Sequence, residues 1–235
     1  MPMVSAHDLV IDFPIYGAKS RSFKHTVLRA ATGGTIAADT GDRVVVRALD
    51  HLSFEWREGE RIGLVGHNGS GKTTLLRTVG GIYEPATGDI EVRGRVASML
   101  SITLGLDAEA TGYENIFLRG TILGLRRRQI LDLVDEIVEF SELGDYIYMP
   151  MRTYSSGMIM RLMFAISTSV HADIILMDEW LSAGDAQFAE KAQQRLMRLI
   201  DKAKLLVIAS HSQDVIRKTC TRVVHLEHGK IIEGG

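Results

Sequence analysis

The sequence predicts an α/β fold built on a mostly parallel core sheet. Two short apolar runs, residues 174–177 and 205–209, show no polar alternation, which is typical of strands that are buried on both faces. Each run is followed by a segment with helical spacing of its apolar residues. A third run, residues 61–65, leads through a glycine-rich loop into another helical segment. This succession of strands and helices favours a parallel sheet.

The remaining segments predict an antiparallel β-subdomain and a helical subdomain. Residues 4–13 form a first strand that ends at Pro14, and apolar and polar residues alternate again over 52–56, as in a half-buried antiparallel strand. Helical patterns follow farther along, and we expect a helical subdomain at roughly 102–170. The length is sufficient for one large core and short for two. We therefore expect residues 1–235 to form a single domain.

The glycine-rich loop matches the phosphate-binding pattern of glycine, four residues and Gly-Lys-Thr in full. Its glycines allow backbone N–H groups to surround a phosphate chain, and the N-terminus of the following helix adds positive charge. Lys72 is expected to hold β- and γ-phosphates, and the Thr73 hydroxyl is expected to ligate Mg²⁺. The residues predicted to bind the nucleotide are Gly66, His67, Asn68, Gly69, Ser70, Gly71, Lys72, Thr73 and Thr74.

Two later strands also end in polar residues suited to phosphate chemistry. Ligands of parallel sheets collect at the carboxyl ends of strands, where Asp178, Glu179 and His211 are expected to lie. Asp178 is predicted to bind Mg²⁺ through water, and Glu179 to orient and deprotonate an attacking water. His211 is predicted to donate to the γ-phosphate or to that water. Asp178 and Glu179 alone fit a solvated strand end equally well, but the order of the three motifs favours catalysis.

The ordered motifs resemble those of ABC-transporter ATPases. A Ser-Ser-Gly signature opens a helix at 155–157, Ser-Ala-Gly-Asp follows the two carboxylates at 182–185, and His211 resembles the switch histidine of the family. The resemblance covers residues 4–232. It implies a homodimer in which two ATP molecules lie between the phosphate loop of one chain and the signature of the other. The nucleotide contacts that the resemblance adds are Tyr16, Ser155, Ser156, Gly157 and Asp185.

A narrower resemblance is to the ATP-binding subunits of exporters of O-antigen and related polysaccharides. It rests on Phe-Pro-Ile-Tyr-Gly at 13–17, Thr-Gly-Tyr-Glu-Asn-Ile at 111–116 and Tyr-Ser-Ser-Gly-Met at 154–158. It implies ATP hydrolysis that powers export of a lipid-linked polysaccharide through a separate transmembrane permease. The chain would then sit peripherally on the cytoplasmic face of the bacterial inner membrane. Export of capsule or teichoic acid is the alternative, and we expect no C-terminal carbohydrate-binding domain.

Some positions depart from the pattern of the family. Ser156 stands where a glycine is usual, so Ser155 and Gly157 are the safer assignments. Tyr16 resembles the aromatic residue that stacks on adenine, although Phe13 and a core role for both rings remain open. The usual loop glutamine has no counterpart near Ser101, whose shorter side chain is expected to reach the metal only through a water, if at all.

A basic segment, Lys19–Arg29, and the turn-rich residues 30–42 predict an exposed arm, and a disordered loop fits them equally well. We expect the basic segment to contact the membrane subunit or anionic lipid headgroups. Over the whole chain, 27 basic and 29 acidic residues give a net charge of −2, so no nucleic-acid partner is expected. The single cysteine, Cys220, excludes an internal disulfide and is expected to be a small, partly buried hydrophobe.

Two other function classes fit less well. A soluble ABC ATPase acting on DNA or ribosomes would require a long coiled coil or two tandem cassettes, and the sequence predicts neither. A single-site phosphate-loop kinase would not need the Ser-Ser-Gly signature at 155–157.

Overall fold

The fold is taken from a computed structural model that describes residues 2–19, 35–38, 43–100, 102–179 and 186–232. The chain divides into two compact units. The first unit contains residues 1–96, 174–180 and 204–235, and the second contains residues 97–173 and 181–203. The helical subdomain expected at 102–170 lies within the second unit, which also includes the described helix that begins at Ala186.

The strands of the described residues are β1 (Pro2–Lys19), β2 (Thr35–Ala38), β3 (Arg43–Arg57), β4 (Arg61–Val65), β5 (Thr87–Val92), β6 (Val96–Ser98), β7 (Ile174–Asp178), β8 (Leu205–Ala209), β9 (Arg222–Glu227) and β10 (Lys230–Ile232). The helices are α1 (Lys72–Val79), α2 (Gly112–Ile122), α3 (Arg127–Ser141), α4 (Ser156–Thr168), α5 (Ala186–Lys202) and α6 (Gln213–Thr219), with short 3₁₀ helices at Gly144–Tyr148 and Met151–Thr153. No helix among these residues is both long and apolar enough to cross a membrane.

The core sheet has the parallel arrangement that the apolar runs predict. Its strands in the first unit follow the order β10, β9, β4, β8, β7; β4 runs parallel to both β8 and β9, and β7 runs parallel to β8. Residues 174–177 and 205–209 are at most 1 % exposed. This burial explains why these strands carry no polar residues on either face. The predicted α/β fold class is confirmed.

The antiparallel sheet has the order β2, β3, β1, β5, and it corrects the predicted end of the first strand. That strand does not stop at Pro14, because β1 continues to Lys19 and Pro14 pairs with Val45 of β3. The pairing of β1 with β5 ends at Val10. Among the described residues, β1 is therefore an edge on that side beyond Val10, and an edge strand tolerates a proline.

The segment predicted as an exposed arm contains a strand. Thr35–Ala38 forms β2, which pairs antiparallel with β3 through partners such as Ile36 and Val46. The prediction of a loop throughout residues 30–42 is thus wrong at β2. Thr35 and Ile36 are β-branched and favour a strand, and this strand pairs with the edge of β3. The rest of the arm, residues 20–34 and 39–42, lies outside the described residues.

Helix α6 packs closely on β4 through a glycine. A Cβ atom on Gly63 would lie 3.0 Å from the Sγ atom of Cys220 and 3.0 Å from two carbons of Ile216. The thiol is half-buried, as expected, and its loss of solvation raises the pKa of Cys220 to about 11. A side chain at residue 63 would therefore require Cys220 and Ile216 to shift by a few tenths of an ångström.

The second unit presents α4, the signature helix, from a helical core. Phe140, Phe164 and Phe188 lie within 6.2 Å of one another between ring centroids. The guanidinium of Arg195 lies 4.3 Å from the centroid of Phe140. The N-cap of α2 is Thr111, whose hydroxyl accepts from the Glu114 N–H at 3.1 Å, which confirms the capping box that Thr-Gly-Tyr-Glu at 111–114 predicts.

Candidate active site

The phosphate loop joins β4 to α1, and its backbone admits only glycine at two positions. A Cβ atom on Gly66 would collide with the Leu226 carbonyl oxygen. Gly71 has φ 108°, and its Cβ atom would lie 2.9 Å from the carbonyl oxygen of Ala48. Because glycine has no Cβ atom, the loop backbone can pass close to these two carbonyl oxygens before α1 begins.

The N-terminus of α1 offers polar groups to a ligand. Its N-cap residue is Gly71, so no side chain accepts hydrogen bonds from the first N–H groups of the helix. The Ser70 hydroxyl is buried and has no hydrogen-bond partner among the described residues. Buried polar atoms of this kind are normally satisfied. A loop of N–H donors beside an unsatisfied hydroxyl fits the phosphates of a nucleotide.

Lys72 lies within the loop and is 7 % exposed. Its Nζ atom donates to the carbonyl oxygens of Gly66 at 2.7 Å and of His67 at 3.0 Å. Desolvation lowers the pKa of Lys72, opposed by the nearby carboxylates of Asp178 and Glu179. A γ-phosphate would compete with the two carbonyl groups for this ammonium group.

The end of β7 meets the start of α1 at a pair of oxygen atoms. The Thr73 hydroxyl donates to Oδ2 of Asp178 at 2.6 Å. A hydroxyl and a carboxylate are ligands that Mg²⁺ prefers, with water and phosphate oxygens completing its octahedron. The two residues predicted to bind the metal therefore lie next to each other and fit that role.

Glu179 and His211 come together at the carboxyl ends of β7 and β8. Oε1 of Glu179 accepts from the His211 backbone N–H at 3.2 Å and lies 3.8 Å from Nε2 of the His211 ring. Glu179 has φ 68°, an unusual value for this residue type, and its N–H donates to the Ala209 carbonyl at 2.8 Å. Both side chains remain about half exposed, at 52 % and 54 %. A carboxylate held in this way is accessible to water.

Ser210 also contacts the carboxylate, a contact that the sequence reasoning did not assign. Its hydroxyl donates to Oε2 of Glu179 at 3.4 Å and accepts from the Ser212 N–H at 3.1 Å. Ser210 is 3 % exposed. The sequence signal for this contact was the position of Ser210 between the buried strand β8 and His211.

The signature residues lie at the first turn of α4, in the second unit. Ser155 is the N-cap, and its hydroxyl accepts from the Met158 N–H at 3.2 Å. A Cβ atom on Gly157 would have a single near neighbour, the Ser155 Oγ at 3.8 Å. The helix N-terminus at Ser155, Ser156 and Gly157 is thus open to an anion.

Three predicted positions cannot be placed. Asp185 and Ser101 lie outside the described residues, as does the side chain of Tyr16. Phe13, the alternative aromatic, packs edge-on against Tyr83 with 5.1 Å between ring centroids. The identity of the residue that stacks on adenine stays a prediction.

Comparison with known proteins supports the family resemblance. The model of the family described as ABC transporter matches residues 49–182, more than half of the chain. The O-antigen export system ATP-binding protein RfbE of Yersinia enterocolitica is 46% identical over 96% of this chain and 95% of its own length. The RfbB protein of Klebsiella pneumoniae, with the same description, is 35% identical over 100% of this chain and 94% of its own.

Two further comparisons concern a partly covered relative and a solved structure. The teichoic acids export ATP-binding protein TagH of Bacillus anthracis is 39% identical over 80% of this chain but only 34% of its own length. A dimeric ATP-binding cassette solved in a post-hydrolysis state with ADP and Pi superposes with a TM-score of 0.69 at 20% identity, covering 97% of this chain and 96% of that one. With this fold and these full-length relatives, the chain belongs to the ABC transporter family as an ATP-binding cassette.

Proposed function

We propose that this cassette hydrolyses ATP to power export of a lipid-linked polysaccharide of the O-antigen type across the inner membrane. The observation that carries the proposal is the convergence of Thr73, Asp178, Glu179 and His211 beside the phosphate loop. These groups supply metal ligands, a base and a hydrogen-bond donor, which phosphoryl transfer to water requires.

In this proposal the chain acts on ATP through groups that it already positions. Lys72 leaves the carbonyl groups of Gly66 and His67 and donates to the β- and γ-phosphates instead. Thr73 and Asp178 would hold Mg²⁺, which would neutralise phosphate charge. Glu179 accepts a proton from the attacking water, and His211 donates to the γ-phosphate or to that water.

The second half of each nucleotide site is proposed to come from a second copy of the chain. Ser155, Ser156 and Gly157 would present the N-terminus of α4 to the γ-phosphate bound by the partner. This arrangement explains why the Gly157 position has room for an incoming group. Asp185 and Tyr16 are proposed as further nucleotide contacts.

The cargo is proposed from the relatives. Two of them described as O-antigen export proteins match this chain over 95% and 94% of their own length, whereas the TagH relatives are matched over 34% to 71% of theirs. We therefore favour O-antigen over teichoic acid. The proposed partners are a separate transmembrane permease and the lipid-linked polysaccharide that it carries, with the cassette peripheral on the cytoplasmic face.

The test is reconstitution with the proposed transmembrane permease. Lipid-linked O-polysaccharide should stimulate ATP hydrolysis and move across the vesicle membrane, whereas the lipid carrier alone should do neither. A Lys72→Ala cassette provides the inactive control, since it lacks the ammonium group proposed to bind phosphates. Stimulation by a lipid-linked teichoic acid precursor and not by O-polysaccharide would contradict the assigned cargo.

A further inference from the structure

Three metal-ligating side chains lie together beside the phosphate loop, in the first unit. His67 belongs to the loop, Glu227 is the last residue of β9, and His228 follows in the turn to β10. One possible ligand atom from each lies within 4.8 Å of the other two. The three side chains are exposed, so they can rotate without disturbing the core. Neither Glu227 nor His228 has a role in the proposed ATP chemistry.

Backbone contacts hold the two segments against each other. The Gly229 N–H donates to the Ser70 carbonyl at 3.0 Å, and the Gly229 carbonyl accepts from the Asp50 N–H at 2.8 Å. Gly229 has φ 78°, and a Cβ atom there would lie 2.7 Å from the Ala48 carbonyl oxygen. The turn is therefore fixed on the phosphate loop, and the approach of His228 to His67 follows from the fold.

Two imidazoles and a carboxylate form a ligand set for zinc and similar divalent cations. With bonds of about 2.1 Å, ligand atoms on a tetrahedral zinc ion lie about 3.4 Å apart. The present separations, at most 4.8 Å, would have to close by no more than about 1.4 Å. Exposed side chains achieve this through modest rotation. Mg²⁺ prefers oxygen ligands, so this set differs in kind from the Thr73–Asp178 pair.

The tautomer of His67 suits a metal ligand. Its Nδ1 atom lies 2.7 Å from the carbonyl oxygen of Asn68. A carbonyl oxygen can only accept, so in the neutral ring the proton is on Nδ1 and the lone pair is on Nε2. Metal-bound histidines commonly donate their other N–H to such a carbonyl group, which fixes the orientation of the ring.

We propose that His67, Glu227 and His228 bind a divalent cation of the zinc class, and that the bound ion weakens ATP binding. The His67 carbonyl accepts from Lys72 Nζ at 3.0 Å, and Lys72 must leave it to reach a phosphate. An ion that ties His67 to the β9–β10 turn holds the loop in this arrangement and opposes the exchange. Only the effect on ATP rests on the proposed function; binding of the ion does not.

Binding is tested by zinc titration of the purified chain in a calorimeter, without nucleotide. The variants are Glu227→Gln and His228→Asn, because asparagine tolerates the φ of 48° at residue 228. The matched control is His225→Asn, which removes an exposed histidine of the same hairpin. Wild type and the control should bind one ion, and the two variants should bind at least about tenfold more weakly, since even an outer-shell partner is worth that much.

If wild type shows no saturable binding up to about 100 μM zinc, its affinity is too weak for a built site, and the proposed site is overturned. Equal affinities of wild type and His228→Asn would also overturn it.

The effect on ATP is tested by measuring the KM for ATP at a buffered level of free zinc. Zinc should raise the KM of wild type and of His225→Asn, and it should leave those of Glu227→Gln and His228→Asn unchanged. All four proteins meet the same solution, so chelation of zinc by ATP affects them equally. An identical zinc response in wild type and His228→Asn would overturn the coupling, whereas a chain without ATPase activity at any zinc level would contradict the proposed function instead.

Discussion

The phosphate loop of the first unit holds backbone conformations that side chains resist, whereas the signature of the second unit uses an ordinary helix start. Gly71 of that loop lies at φ 108° against the Ala48 carbonyl, and Glu179, which follows β7 in the same unit, lies at φ 68°. Ser155, in contrast, is a common N-cap residue, and Gly157 has open space around it. In the first unit, candidate site geometry is imposed on the chain by its surroundings. In the second unit, local preference and candidate role coincide, so substitutions should affect stability and activity differently in the two places.

The largest effect is expected for Glu179→Gln. Loss of a positioned general base should lower ATP hydrolysis by roughly 10²–10⁴-fold, while the phosphate contacts remain. The variant should therefore stay dimeric on size exclusion with saturating Mg-ATP. Glu58→Gln, which changes an exposed carboxylate of a turn, should hydrolyse ATP like wild type. If Glu179→Gln is monomeric under these conditions, or hydrolyses ATP at the wild-type rate, the result would count against Glu179 as the general base and against the ATP-bound homodimer.

A pair of glycine variants compares the effect of an added methyl group in the two units directly. Gly71→Ala places a methyl group on the Ala48 carbonyl at an unfavourable φ, and it should lower the free energy of unfolding by roughly 1–3 kcal/mol. Gly157→Ala meets no such neighbour and should keep or raise stability by up to about 1 kcal/mol, because alanine favours the helix. Gly157→Ala should nevertheless lose ATPase activity, since its methyl group occupies the proposed phosphate approach. Urea unfolding and ATPase rates together measure the contrast, which disappears if both variants are equally destabilised.

Two substitutions of Ser155 should separate its effect on stability, as a helix cap, from its effect on ATP hydrolysis, as a proposed nucleotide contact. Ser155→Ala loses the hydrogen bond from the Met158 N–H and should cost about 1 kcal/mol of stability. Ser155→Asp keeps a good cap but adds a negative charge facing the proposed γ-phosphate, so stability should be retained while hydrolysis falls. Thr111→Ala, a cap in the same unit, should cost similar stability without a specific loss of hydrolysis. If Ser155→Asp hydrolyses ATP at the wild-type rate, the proposed contact between Ser155 and the nucleotide is wrong.

The smallest effect is expected for Ser101→Ala. If Ser101 reaches the metal only through water, its loss should change the ATPase rate by less than about threefold, which is under about 0.7 kcal/mol of barrier. His211→Ala should cost far more in the same assay. Comparable losses in the two variants would assign the Ser101 hydroxyl a direct role.

The sequence predicted those parts of the fold that depend on neighbouring residues. The phosphate loop, the buried parallel strands and the cap at Thr111 are local patterns of glycine, apolar runs and polar caps. The continuation of β1 through Pro14 could not be predicted, because it depends on where β5 stops pairing. Strand β2 was missed for a similar reason, since its partner within the described part of the chain is the edge of β3.

The site shows the same division. Residue types and order predicted that Thr73, Asp178, Glu179 and His211 would meet at strand ends, and the structure brings each pair together. The hydrogen bonds of Lys72 to two loop carbonyls could not be predicted, because the motif describes the lysine with its phosphate partner. The approach of His67 to the β9–β10 turn depends on segments far apart in the chain.

The packing of Cys220 against Gly63 has a practical consequence. With its pKa raised to about 11, the only cysteine of the chain exposes little thiolate at neutral pH. A cysteine introduced at an exposed position, with an ordinary pKa near 8.5, would hold roughly 300-fold more thiolate at neutral pH and would therefore react faster with a labelling reagent. The natural sequence therefore serves as a background for attaching a single fluorophore or spin label. Such labels placed within the basic segment, Lys19–Arg29, would report its contacts while the Cys220 thiol, packed against β4, stays unmodified.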